Sequence, residues 1–143
     1  MIQPRVPLNG KEFEKFCKGT ASGLVDPFFP TQAHLLVFAA SIACEVDEFQ
    51  ENPETKSDSI KETVLRNNNL VDRIRIMALY KTNDVKVLDD DYEVSSIVEG
   101  YAAAGFEIMK TWLNEAEEEN YFFDLCKEKI LERCPELPES EEI

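Results

Sequence analysis

The chain is short of the side chains that do chemistry. It has one histidine in 143 residues, and no two of its four cysteines stand as a CxxC pair, the spacing that marks a thioredoxin-like redox site or a zinc ribbon. Basic residues are scarce: fifteen against twenty-nine acids leave a formal charge of −14. That balance opposes any general attraction to nucleic acid or anionic lipid, which depends on cations displacing counterions. The longest apolar stretch, Ala33 to Cys44, falls short of the ~20 residues that cross a bilayer. The opening MIQPRVPLNG holds no apolar core of signal-peptide length, so the mature chain is expected to be the whole chain, in the cytoplasm. Three of the thiols, among Cys17, Cys44, Cys126 and Cys134, fall in apolar helical patterns, where free cysteine behaves as a small hydrophobe, as in a reducing compartment. No cofactor and no metal are implied.

What is present is helical periodicity. Asn9-Gly10-Lys11-Glu12 has the form of a capping box, and Phe13, Phe16 and Cys17 follow on one helical face. Gly19, Gly23, Pro27 and Pro30 then impose a loop. Thr31 can cap a helix running to about Asp47 that is apolar nearly all round, the mark of a helix enclosed by others. Gln50 to Ser57 reads as an exposed loop around Pro53. Ser59 with Glu62 forms a second capping box, and that helix should stop at Asn67-Asn68-Asn69. Leu70, Val71, Ile74, Met77 and Ala78 make a helical stripe, although Arg73 to Ile76 alone would pass for an alternating strand. Thr82-Asn83-Asp84 signals a turn, with a brief extended piece expected over Val85 to Leu88. The longest helix is expected from Tyr92 to about Asn114; Gly100 and Gly105 inside it cost ~1 kcal/mol each in propensity and point to a close neighbour. Phe123, Cys126, Ile130 and Cys134 line a last helix, closed by Pro135 and Pro138. The expectation is an all-α single compact domain, residues 1–135, of five or six helices around the buried central helix, with an acidic tail, 136–143, left disordered.

Each candidate motif has a plainer structural meaning beside it. His34 would need a nucleophile or orienting carboxylate to act as a base, and no pattern supplies one. Asp89-Asp90-Asp91 could hold a hard cation and so serve a small metal-dependent enzyme, but Asp90 with Glu93 also fits a helix cap. Gly19 to Gly23 lacks the lysine of a phosphate loop, and after Gly105 stand Phe106-Glu107 where a lysine and a hydroxyl would be needed. Arg66, Arg73, Arg75, Lys81 and Lys86 form the densest basic stretch, a candidate contact for an acidic partner or for DNA phosphate. Tyr101, Phe106 and Trp112 are the aromatic candidates for interface anchors, with core packing as their alternative use. The acidity lies in the second half, where residues 72–143 hold eight bases and nineteen acids; Glu115 to Glu142 could mimic a line of DNA phosphates and inhibit a DNA-processing enzyme.

Three segments, LLVFAASIA (Leu35 to Ala43), RIRIMALYKTNDVKVL (Arg73 to Leu88) and EGYAAAGFEIMKTWL (Glu99 to Leu113), resemble in order and spacing a small family of DNA phosphorothioation-associated proteins, accessories of the Dnd systems. Such systems replace a non-bridging phosphate oxygen of bacterial DNA with sulfur, and in many hosts restrict unmodified phage or plasmid DNA. The resemblance spans roughly Phe28 to Arg133. It carries over no catalytic residue, and Cys44 to Phe49 departs from the glycine-containing basic stretch expected there. It implies a non-catalytic accessory of phosphorothioation-linked modification or restriction, in contact with protein subunits of that complex.

Overall fold

The computed structural model describes residues 1–7, 32–54, 59–115 and 128–132. The fold is all-α. Its described helices are α1 (Gln32–Glu45), α2 (Glu62–Asn67), α3 (Val71–Thr82) and α4 (Asp91–Glu115), with a 3-10 turn, Val85–Asp89, between α3 and α4. Residues 128–132 are helical within the span expected for the last helix. The helix expected after Asn9, the Thr31 cap and the tail from residue 136 lie outside the described residues.

Helix α1 is the centre of the packing because its apolar residues do not keep to one face. Ala33, Leu35, Leu36, Val37, Ala39, Ala40, Ile42 and Ala43 are all buried. The long α4 lies along it, and the two backbones meet where neither carries bulk: a Cβ built on Gly105 would stand 1.8 Å from the carbonyl oxygen of Ala39. Gly100 admits the loop after α1 instead. Its missing Cβ would fall 2.4 Å from the Phe49 ring, and its carbonyl accepts from the Gln50 amide at 3.2 Å. Val94, Ile97, Val98, Tyr101, Phe106, Met109 and Trp112 complete the buried stripe of α4.

Helix α3 packs through Val71, Ile74, Met77 and Ala78, the stripe the sequence predicts. Its ends are set by asparagines. Asn69 (φ 59°) separates it from α2, and Asn83 (φ 52°) caps it in the left-handed region, where asparagine is tolerated at little cost.

Two local expectations fail, for one reason each. The Ser59–Glu62 capping box does not form: Lys61 occupies the cap position without a side-chain bond, Ser59 pairs with Arg5 in an isolated bridge, and Glu62 accepts from the Ile2 amide at 3.2 Å. The helix starts at Glu62, two residues past where the box would start it, and the Glu62 carboxylate is engaged by the start of the chain. Val85 to Leu88 is a 3-10 turn and not an extended piece, because the Asp84 carboxylate accepts from the Lys86 amide (3.0 Å) and the Asp84 carbonyl from Val87 (3.1 Å). The Asp90 cap does form, its carboxylate accepting from the Glu93 amide at 3.1 Å. Replacing Asp90 by alanine should therefore cost about 1 kcal/mol in thermal or urea melts, whereas Ser59→Ala, with no cap to lose, should change stability by less than about 0.5 kcal/mol.

Candidate functional site

Residues 2 to 6 alternate in exposure because the segment is extended across the bundle: Ile2, Pro4 and Val6 are buried while Gln3 and Arg5 are exposed. The amide of Gln3 donates to Ser95 Oγ (3.0 Å) and that of Arg5 to Glu99 Oε2 (2.9 Å), both on α4; the Pro4 carbonyl accepts from Ile60 (2.8 Å). Burial raises the Glu99 pKa, opposed by the Arg5 amide bond and the Arg5 charge. Sequence reasoning missed this strap, although the period-two alternation of Ile2-Gln3-Pro4-Arg5-Val6 carries its signal. Beside it opens a cleft of about 1100 Å³ lined by Arg5, Phe49, Asn52, Lys81, Ser96 and Glu99, among others. Its lining mixes acids and bases, and it favours no one ligand charge.

The seven residues singled out from the sequence fall into four places. Tyr101, Phe106 and Trp112 are buried in the chain's own core, at 1, 1 and 4% exposure. This corrects the expectation of surface anchors: the α4 face that carries them is the face packed on α1, so the rings are enclosed. Tyr101 meets Phe49 edge-on, with centroids 5.1 Å apart and planes at 83°. Its hydroxyl lies beside the Cys44 thiol, yet among the described residues no partner reaches hydrogen-bonding geometry with it. Burial, then the neighbouring Cys44, pushes the Tyr101 pKa up to about 12, and burial likewise raises that of Cys44.

Lys81 turns toward the cleft, its Nζ 4.2 Å from the centroid of the Phe49 ring, a cation–π contact. Lys86 is exposed on the 3-10 turn. Arg73 and Arg75 remain on α3, Arg73 exposed and Arg75 half-buried, its Nε enclosed and without a hydrogen-bond partner among the described residues. The basic stretch is thus split, and only the two arginines share the outer side of α3. With them are two residues the sequence reading passed over, Ile76 and Tyr80, 64 and 57% exposed on successive turns. Among the described residues, Arg66 pairs with Glu62 (3.5 Å) and Lys110 with Glu107 (3.3 Å), while Arg73 and Arg75 have no carboxylate within ion-pair distance. In a chain with an excess of fourteen negative charges, two arginines left unpaired beside exposed apolar side chains form a surface of a different kind from its surroundings.

The Asp89 to Asp91 carboxylates do not converge: Asp90 is the helix cap, and Asp91 belongs to the first turn of α4. Among the described residues, no three His, Cys, Asp or Glu side chains come together in a metal-binding group, and no helix is long and apolar enough to cross a membrane. The acidic stretch 116–127 and everything beyond 132 lie outside the described residues.

A family model described as DNA sulphur modification system-associated protein 4 matches residues 10–141. No curated protein and no solved structure matches the chain.

Proposed function

Because the chain belongs to the family of DNA sulphur modification system-associated protein 4, we propose that it is a non-catalytic, cytoplasmic accessory of that machinery, acting in modification-linked defence through contact with the machinery's proteins. The observation that supports contact over catalysis is the outer side of α3, where Arg73 and Arg75 stand without described ion-pair partners around exposed Ile76 and Tyr80. Apolar side chains held in water beside unpaired cations gain when another surface covers them. The cleft offers no comparable case, since its charges are mixed and its Lys81 is already placed over Phe49.

The experiment is charge reversal on the intact protein. The double variant Arg73→Glu, Arg75→Glu should keep its helical circular dichroism, because neither side chain is in the core, and should bind the purified proteins of the modification machinery about tenfold or more weakly, with loss of defence in cells. Unchanged binding and unchanged defence would remove this face from the account. A second reading is favoured by eleven acids against three bases over Glu115 to Glu142: mimicry of DNA phosphates at a restriction subunit. Displacement of duplex DNA from that subunit by the protein would support mimicry; undisturbed DNA binding would leave contact through α3.

A further inference from the structure

We infer that the outer face of α3 receives an amphipathic helix of a protein partner whose flanks are acidic. The inference rests on the reading of α3 as a contact surface and adds the chemistry of what covers it.

Successive residues of a helix are offset by about 100°. On α3 that places Ile76 and Tyr80 near the middle of the outward side, half-buried Leu79 next to them, and Arg73 and Arg75 about 160° apart on the two borders. The inward side is settled by Val71, Ile74, Met77 and Ala78, which pack in the core. Ile76 and Leu79 then occupy the seam positions of a heptad, and Arg73 and Arg75 the flanking ones, where side chains choose a partner helix by the sign of its charges. Asp72, the one acid on α3, is exposed in the first turn, where the helix dipole favours it, and lies on the outward side one turn before Ile76, so the contact runs from it toward Tyr80 and leaves it at the edge.

Three features choose among occupants. Both borders are cationic and unpaired among the described residues, so the complementary helix carries Glu or Asp on both of its own flanks. Ile76 and Tyr80 are large and exposed, and a sugar–phosphate backbone would leave Ile76 without an apolar counterpart, whereas an amphipathic helix supplies one. The overall charge of −14 opposes both duplex DNA and a second copy of this chain at long range, and by the same repulsion the partner's acids are confined to the docking helix of a protein without a large negative charge. The seam from Arg73 to Tyr80 runs about 10 Å, two helical turns, which suits a short helical docking element.

The test places a photo-crosslinking amino acid at position 76 of the full chain, in cells producing the machinery, and identifies the captured peptide by mass spectrometry. The expected product is a protein peptide with acids bordering an apolar helical stripe. Its yield should fall about tenfold when Arg73→Glu and Arg75→Glu are added, and recover when the bordering acids of the captured helix are changed to arginine. Capture of DNA, of a second copy of this chain, or of a peptide lacking acids, or failure of the charge swap to restore capture, overturns the inference while leaving α3 as a contact surface. No capture at all, together with full defence by the double-arginine variant, overturns both.

Discussion

Gly105→Ala should lower the melting temperature by about 10 °C or more, a loss of roughly 3 kcal/mol. The substitution raises intrinsic helix propensity by ~1 kcal/mol, and on an exposed helix it would stabilise. Here the new methyl carbon would stand 1.8 Å from the carbonyl oxygen of Ala39 and 2.5 Å from its carbonyl carbon. Those atoms are backbone of the central helix, so no rotamer change relieves the overlap; α1 and α4 must move apart, and the core residues that meet between them lose contact. Gly100→Ala is the internal control. Its methyl group meets chiefly the Phe49 ring, a side chain able to swing, although the Gln50 carbonyl at 2.8 Å limits the relief. Thermal melts should therefore rank Gly105→Ala well below Gly100→Ala, and a Gly105→Ala protein that melts with the parent would contradict the close crossing of the two helices.

Phe106→Ala should destabilise by about 3–5 kcal/mol, the range for emptying a fully buried aromatic position. Phe106 is 1% exposed and sits one residue beyond the tightest point of the α1–α4 contact. The result separates two roles for this ring. An interface anchor, truncated, would leave the melting temperature intact and weaken only partner binding; a core ring lowers stability whether or not a partner is present. Urea denaturation of the isolated protein decides between them, and unchanged stability would return Phe106 to the surface.

The sequence reveals the helices whose signal is strong and local. Ala33 to Cys44 is apolar on every side and proves central; the helix before Asn67 to Asn69 stops there, and Asn69 and Asn83 take the left-handed backbone that asparagine tolerates. The burial of Tyr101, Phe106 and Trp112 was legible too, since Val94, Ile97, Tyr101, Gly105, Met109 and Trp112 recur at three- and four-residue steps along α4, with Val98, Ala102 and Phe106 in the row beside them. Core packing, the alternative use of these rings, is the one the fold makes of them. What could not be read locally are the groups claimed from far along the chain. Ser59 and Glu62 match a capping box, but Arg5, bridged to the Ser59 backbone, and Ile2, donating to the Glu62 carboxylate, lie more than fifty positions earlier, and only the folded topology brings that strap across. The outer face of α3 was half legible. Its arginines stood out by charge, while Ile76 and Tyr80 went unremarked although the expected stripe of Val71, Ile74, Met77 and Ala78 already leaves them on the opposite side.

That outward side of α3 carries the functional account, and hydrogen exchange on the intact protein with and without the purified proteins of the modification machinery reads it most directly. Slowed exchange concentrated in residues 72–82, with α1 and the buried turns of α4 unchanged, is the predicted footprint. A complex that forms while these amides exchange at their free rate, with protection falling elsewhere, would contradict it.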